Sequence, residues 1–245
     1  MQEAKKVQEV RRLAKSKKQK IIENSRKLIT KYNPKSPISE QYRTIRTNIQ
    51  FSSVDQDIRS IVVTSPGPGE GKSTTAGNMA VVYAQQGKNV LLIDSDLRKP
   101  TVHYTFNLLN NSGLTTVLTK RTKLMEAVVK TDEPNLLVLP SGPIPPNPAE
   151  LLASKSMDEL VNQCLEQFDI IIMDTPPILA VADAQILANK CDGTILVVSS
   201  SKTENDQAIK AKELLNSANA NVLGVVLNNK KTEKNDQYYY YYGNK

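Results

Sequence analysis

Ser60-Ile61-Val62-Val63-Thr64-Ser65-Pro66-Gly67-Pro68-Gly69-Glu70-Gly71-Lys72-Ser73-Thr74 is the stretch whose reading decides the fold. A short apolar run reads as a buried strand, a Gly/Pro segment follows, and a helix-like stretch over 72–86 opens on Lys72. A phosphate-binding loop needs this order of parts. Glycines let backbone N–H groups turn inward around the β- and γ-phosphates, and the helix N-terminus beyond adds a favourable dipole. Lys72 is then placed to reach the phosphates and the Ser73 hydroxyl to ligate Mg²⁺. Gly67, Gly69, Glu70, Gly71 and Thr74 complete the expected nucleotide contacts. Pro66 stands where the first glycine of this Walker A pattern usually sits. A plain Gly/Pro turn is the competing reading, and the strand before and helix after weigh against it.

Outward from this loop the chain alternates. Strand-like runs fall at 89–93, 135–139, 169–173, 194–199 and 222–227, and helix-like stretches at 148–168 and 204–217. Runs such as Ile170-Ile171-Ile172-Met173 are apolar throughout, as strands covered on both faces must be. The expectation is an α/β P-loop NTPase with a mostly parallel sheet and helices on both faces.

Two of those strands end in carboxylates. Leu91-Leu92-Ile93 leads into Asp94-Ser95-Asp96-Leu97-Arg98, and Ile170-Ile171-Ile172-Met173 leads into Asp174-Thr175-Pro176-Pro177. Strand-end aspartates are often solvated caps. Beside a phosphate loop they can hold Mg²⁺ or accept a proton from an attacking hydroxyl. The metal candidates are therefore Ser73, Asp94 and Asp174. The catalytic candidates are Lys72 with Asp94 and Asp96, either of which suits the role of base.

Composition bounds the rest. The 245 residues fit one domain with appendages, and no apolar run approaches the ~18 residues of a membrane span. Cys164 and Cys191 have neither metal-ligand spacing nor disulfide partners nearby in sequence, which suits a reducing cytosol. The first residues lack an apolar segment of secretory type, so a soluble cytoplasmic protein is expected. Residues 1–31 hold 11 of the 32 Lys and Arg but only 3 of the 25 Asp and Glu, so the basic balance belongs to this arm. Such an arm reads as a solvated helix or flexible tail, or as attachment to an anionic membrane surface. Nucleic-acid binding would rest on the arm alone, without interleaved aromatics or a reader motif, and is not expected. The domain reading is an arm and linker over 1–37, a catalytic domain over 38–228, and a flexible tail over 229–245. His103, the one histidine, falls in a polar loop by this reading and is assigned no role.

The Walker A loop, the DxDxR that follows three apolar residues, and the DTPP Walker B together resemble the bacterial tyrosine kinase (BY-kinase) family. The likeness is strongest to the separate cytoplasmic kinases of Gram-positive capsule and exopolysaccharide systems, and runs from about residue 38 to the end. It implies a fold akin to the MinD and ParA ATPases, Mg·ATP as cofactor, and phosphorylation of tail tyrosines. Tyr238, Tyr239, Tyr240, Tyr241 and Tyr242 form that cluster here, five of nine tyrosines in consecutive positions. No periodicity could bury all five, and a tethered hydroxyl can enter a neighbour's site; a low-complexity adhesive tail is the bland alternative. Glu40, Arg43 and Arg46 match an ExxRxxR pattern that in the family joins subunits in a ring; by spacing alone they form one side of a helix, otherwise a solvated charged face. The resemblance also implies a transmembrane adaptor that recruits and activates the kinase at the inner membrane face, and a cognate tyrosine phosphatase. The basic arm is similar to such an adaptor's cytoplasmic tail, so it is expected to be a built-in or fused activator. In related ATPases a residue placed like Asn228 touches the adenine. The segment 141–149 would lie near subunit contacts. The rival function is a MinD/ParA-like positioning ATPase without kinase activity. Those relatives carry an additional lysine early in the loop, where this chain has Gly67 and Pro68.

Overall fold

The computed structural model describes residues 28–52 and 57–230. The short helix α1 (Ile29–Tyr32) and α2 (Pro37–Ser52) precede β1 (Ser60–Thr64). After β1 come α3 (Lys72–Ala84), β2 (Val90–Asp94), and the short helices α4 (Val102–Phe106), α5 (Leu114–Leu118) and α6 (Leu124–Ala127). Then follow β3 (Val129–Lys130), β4 (Leu136–Leu139), α7 (Pro148–Ala153), α8 (Lys155–Gln167) and β5 (Ile170–Asp174). The described elements end with α9 (Asp183–Lys190), β6 (Gly193–Ser199), α10 (Asn205–Ser217) and β7 (Val222–Asn228). The seven strands lie in the order β3-β4-β2-β5-β1-β6-β7. All neighbours pair parallel except β3, which runs antiparallel to β4.

Burial explains why the strand sequences do not alternate in polarity. Ile61 and Val63 of β1 join one core layer with α3, while Val62 between them joins the layer beneath α8. Every residue of β1, β2 and β5 is buried, so each position faces apolar side chains whichever way it points. Helix α3 is likewise buried nearly all round, with 11 of 13 residues inside, the pattern of a helix sandwiched in a core.

Three expectations change. The helix expected over 148–168 is two helices, because Ser154 is extended (φ −69°, ψ 156°) and its hydroxyl donates to the Leu151 carbonyl at 2.7 Å; serine competes with the helical ladder in this way. His103 does not lie in a polar loop. It sits in α4, mostly buried, 3.9 Å from the Tyr104 ring centroid, with Nδ1 buried and without a partner. Leu28 to Thr30, grouped by sequence with the arm, pack on the domain. Leu28 enters the core, and Thr30 donates to Asn78 Oδ1 from its amide (3.0 Å) and its hydroxyl (2.8 Å). Residues 1–27 and the tyrosine cluster at 238–242 lie outside the described residues. Among the described helices none is long and apolar enough to cross a membrane.

Candidate functional site

The parallel sheet ends β1, β2 and β5 on one edge, and three sequence motifs meet there. Gly71 takes φ +99° at the start of α3, and a Cβ added to it would stand 2.0 Å from Asn228 Nδ2; only glycine fits this turn. The loop is braced by its surroundings. Ser65 Oγ donates to the Gly67 carbonyl at 2.7 Å, and the Ile178 amide donates to the Ser65 carbonyl at 2.9 Å.

Lys72 points from the first turn of α3 into the carboxylates. Its ammonium lies 3.1 Å from Asp96 Oδ2, 3.5 Å from Asp174 Oδ1 and 3.2 Å from Ser73 Oγ. Asp94 and Asp174 face each other in register across β2 and β5. Asp94 Oδ2 accepts the Thr101 and Val102 amides at 3.1 and 3.0 Å, while Asp96 Oδ1 accepts the Lys99 amide at 2.9 Å. Asp96 and Asp174 are thus brought to one cation, and Asp94, the other candidate base, stands beside them opposite Asp174, all buried.

The electrostatics follow from that crowding. Burial first, and then the charge of Asp174, push the Asp94 carboxyl up to about 8. Burial also raises Asp174 against the pull of Lys72. For Lys72 burial acts to lower the pKa, but the carboxylates of Asp174, Asp96 and Asp94 outweigh it and hold the ammonium above its ordinary range. Asp94 Oδ1 and Asp174 Oδ2 are buried without a hydrogen-bond partner, a cost that a bound cation would remove. Two hard carboxylate oxygens beside the Ser73 hydroxyl suit Mg²⁺. Among the described residues no group of three or more acidic, His or Cys side chains forms a metal site by itself. Water and phosphate oxygens would have to complete the shell, as is usual for this ion.

A pH dependence follows. Between the ordinary carboxyl pKa and about 8, folded Asp94 keeps a proton that the unfolded chain has lost. Stability from this group is therefore present at acid pH and lost as pH rises through that window. Thermal unfolding of the metal-free protein should show Tm falling from about pH 5 to pH 8, with a flatter profile for Asp94→Asn. An equal slope in the two proteins would show that Asp94 is not the group responsible.

The contacts made by several neighbours were not legible in the sequence, although Glu70, Asn228 and Arg98 were singled out there. Arg98 makes a bidentate pair with buried Asp183, 2.9 Å from Nε to Oδ2 and 2.9 Å from Nη2 to Oδ1, pinning the chain after Asp96 against α9. Glu70 turns its side chain away from the solvent edge; it is buried and accepts the Thr203 hydroxyl on Oε1 at 2.9 Å. Asn228 donates to the Glu70 carbonyl at 2.9 Å, so this candidate base contact lies directly on the loop. Only the position of Thr203 just after a strand on the same sheet edge hinted at its contact.

Glu40, Arg43 and Arg46 stand on α2, away from this edge. Arg43 pairs with Glu40 and also donates to the Pro34 carbonyl at 2.9 Å. Arg46 donates to the Val82 carbonyl at 2.7 Å, so it is engaged within its own chain, while Glu40 is exposed.

Residues 58–222 match the family described as AAA domain. The tyrosine-protein kinase YwqD of Bacillus subtilis (strain 168) is 60% identical over 206 residues, which is 84% of this chain and 87% of that protein. The crystal structure of the chimerical protein CapA2B2 superposes with a TM-score of 0.82 at 45% identity, over 84% of this chain and 91% of that one. The cell division ATPase MinD of Pyrococcus furiosus superposes with a TM-score of 0.60 at 25% identity, over 70% of this chain and 72% of its own.

Proposed function

Because the chain belongs to the bacterial tyrosine kinase family of P-loop ATPases, we propose that it uses Mg·ATP to phosphorylate the tyrosines of its own C-terminal tail, each copy serving a neighbour. The observation that carries this reading is the buried cluster beside the phosphate loop in which Lys72 pairs with Asp96 and Asp174 while Asp94 faces Asp174. Phosphoryl transfer asks a protein for little covalent chemistry, and positioning and charge stabilisation supply most of the rate. The loop amides from Gly67 to Thr74 and the Lys72 ammonium hold the phosphates and balance charge on the oxygens of the transferred group. Ser73, Asp94 and Asp174 would hold Mg²⁺, which when bound neutralises phosphate charge. Asp96, held in place by Lys72 and the Lys99 amide, accepts the proton of the attacking tyrosine hydroxyl; Asp94 is the alternative base. Asn228 contacts the adenine.

The acceptors are Tyr238, Tyr239, Tyr240, Tyr241 and Tyr242. Glu40, Arg43 and Arg46 join subunits in a ring, which places one copy's tail at the next copy's site. Arg46 contributes there by fixing α2 to the end of α3, and Glu40 and Arg43 by presenting charge. The protein works in the cytoplasm at the inner membrane face, recruited by a transmembrane adaptor, reversed by a tyrosine phosphatase, and controls capsular or exopolysaccharide synthesis. The basic arm, residues 1 to about 30, whose Leu28 is buried in the domain, acts as the activating tail.

Intact-mass spectrometry after incubation with Mg·ATP tests the kinase reading. A ladder of successive phosphate additions is expected. A parent chain that hydrolyses ATP but gains no mass would instead be a MinD/ParA-like positioning ATPase.

A further inference from the structure

We propose that the turn after β6 is a clasp that holds the phosphate loop in its binding shape, with Lys202 and Thr203 setting the affinity for nucleotide. The inference rests on the nucleotide-site reading above. A loop of glycines and prolines loses much conformational freedom when it closes on phosphate, and whatever orders it beforehand raises affinity. Pro66 and Pro68 limit two φ angles, and Gly69 and Gly71 sit at +74° and +99°, but none of these ties the loop to the sheet.

The tie comes from β6 and β7. The Lys202 ammonium donates to the Pro68 carbonyl, and it lies 3.1 Å from where a Gly69 Cβ would stand. The Thr203 hydroxyl accepts the Ser199 amide at 2.8 Å and donates to Glu70 Oε1 at 2.9 Å. Because the backbone amide occupies one lone pair, the single hydroxyl proton is directed at Glu70. The Glu70 carbonyl meanwhile accepts from Asn228 at 2.9 Å. The outer turn of the loop, Pro68 to Glu70, is therefore held by three side chains from the ends of two neighbouring strands. Lys202 and Thr203 act on ATP through the loop, so they are positioning residues. Lys202 is exposed, so its removal opens no cavity and its effect falls on the loop.

The test uses the full chain with Lys202→Met, Thr203→Val and the conservative Lys202→Arg and Thr203→Ser. Calorimetry gives the Kd for Mg·ADP, autophosphorylation gives KM for ATP and kcat, and thermal unfolding gives Tm. Loss of either contact should raise Kd and KM by about fivefold to tenfold, with kcat changed by less than about twofold. The Arg and Ser variants should recover most of the affinity. An unchanged ADP Kd in both Lys202→Met and Thr203→Val overturns the proposal, as does a fall in kcat at constant KM. ADP binding needs no phosphoryl transfer. A parent that adds no phosphate therefore sinks the kinase reading, while the clasp is judged separately on Kd.

Discussion

Lys72→Met should abolish autophosphorylation, lowering the rate by at least about 10²–10³-fold, the size expected for loss of one preorganised charge at a reacting group. The ammonium is the only cation within ion-pair distance of Asp96 and Asp174 among the described residues. Methionine keeps the length of the stem and removes the charge, so phosphate oxygens lose their partner and the carboxylates lose theirs. The effect on the fold should be smaller, because buried carboxylates left without a cation take up protons rather than stay charged. The metal-free variant should therefore lose stability more steeply with rising pH than the parent. A variant that still gained successive phosphates at the parent rate would show that Lys72 does not hold the transferred group.

Changing Tyr238, Tyr239, Tyr240, Tyr241 and Tyr242 together to Phe should reduce phosphate incorporation to roughly the level of Lys72→Met while ATP binding and hydrolysis persist. Phenylalanine keeps the ring and removes the nucleophilic oxygen, and the substitution leaves every residue of the nucleotide site in place. The remaining tyrosines offer a sharp control. Tyr42 and Tyr83 are buried, and burial drives the Tyr83 hydroxyl up to about 12. Tyr32 and Tyr104 are 49% and 60% exposed. If phosphate persisted on the variant, peptide mapping should find it on Tyr32 or Tyr104, and the tail assignment would then fail. Mixing the five-Phe chain with the Lys72→Met chain separates the two roles: phosphate should appear only on the latter, since one supplies the site and the other the acceptors.

Much of the fold was legible because its signals are local. Ser60–Thr64 was read to its observed ends, since an apolar run bounded by a polar residue and a Gly/Pro loop leaves little freedom of assignment. Asp94 and Asp174 were legible as strand ends for the same reason, and Asp96 as the carboxylate two residues beyond one of them. The short elements were not. Helix α9 spans eight residues and α4 five, too few turns for periodicity to stand out, and β3 is a two-residue edge strand paired only through β4. The break at Ser154 depends on one hydroxyl choosing a backbone carbonyl, which apolar spacing does not encode.

The sequence by itself determined that a phosphate loop follows a buried strand, that two further strands end in aspartates, and that five tyrosines stand in a row at 238–242. Each is a pattern within a few neighbouring residues, where backbone geometry and burial act directly. Only the tertiary structure decided which partners those residues meet. Pairing β2 with β5 sets Asp94 opposite Asp174 across some 80 residues of chain. Pairing β6 with β1, and β7 with β6, brings Lys202, Thr203 and Asn228 onto the loop. Those contacts are made by sheet order, and sheet order is chosen by packing two apolar faces under helices distant in the chain.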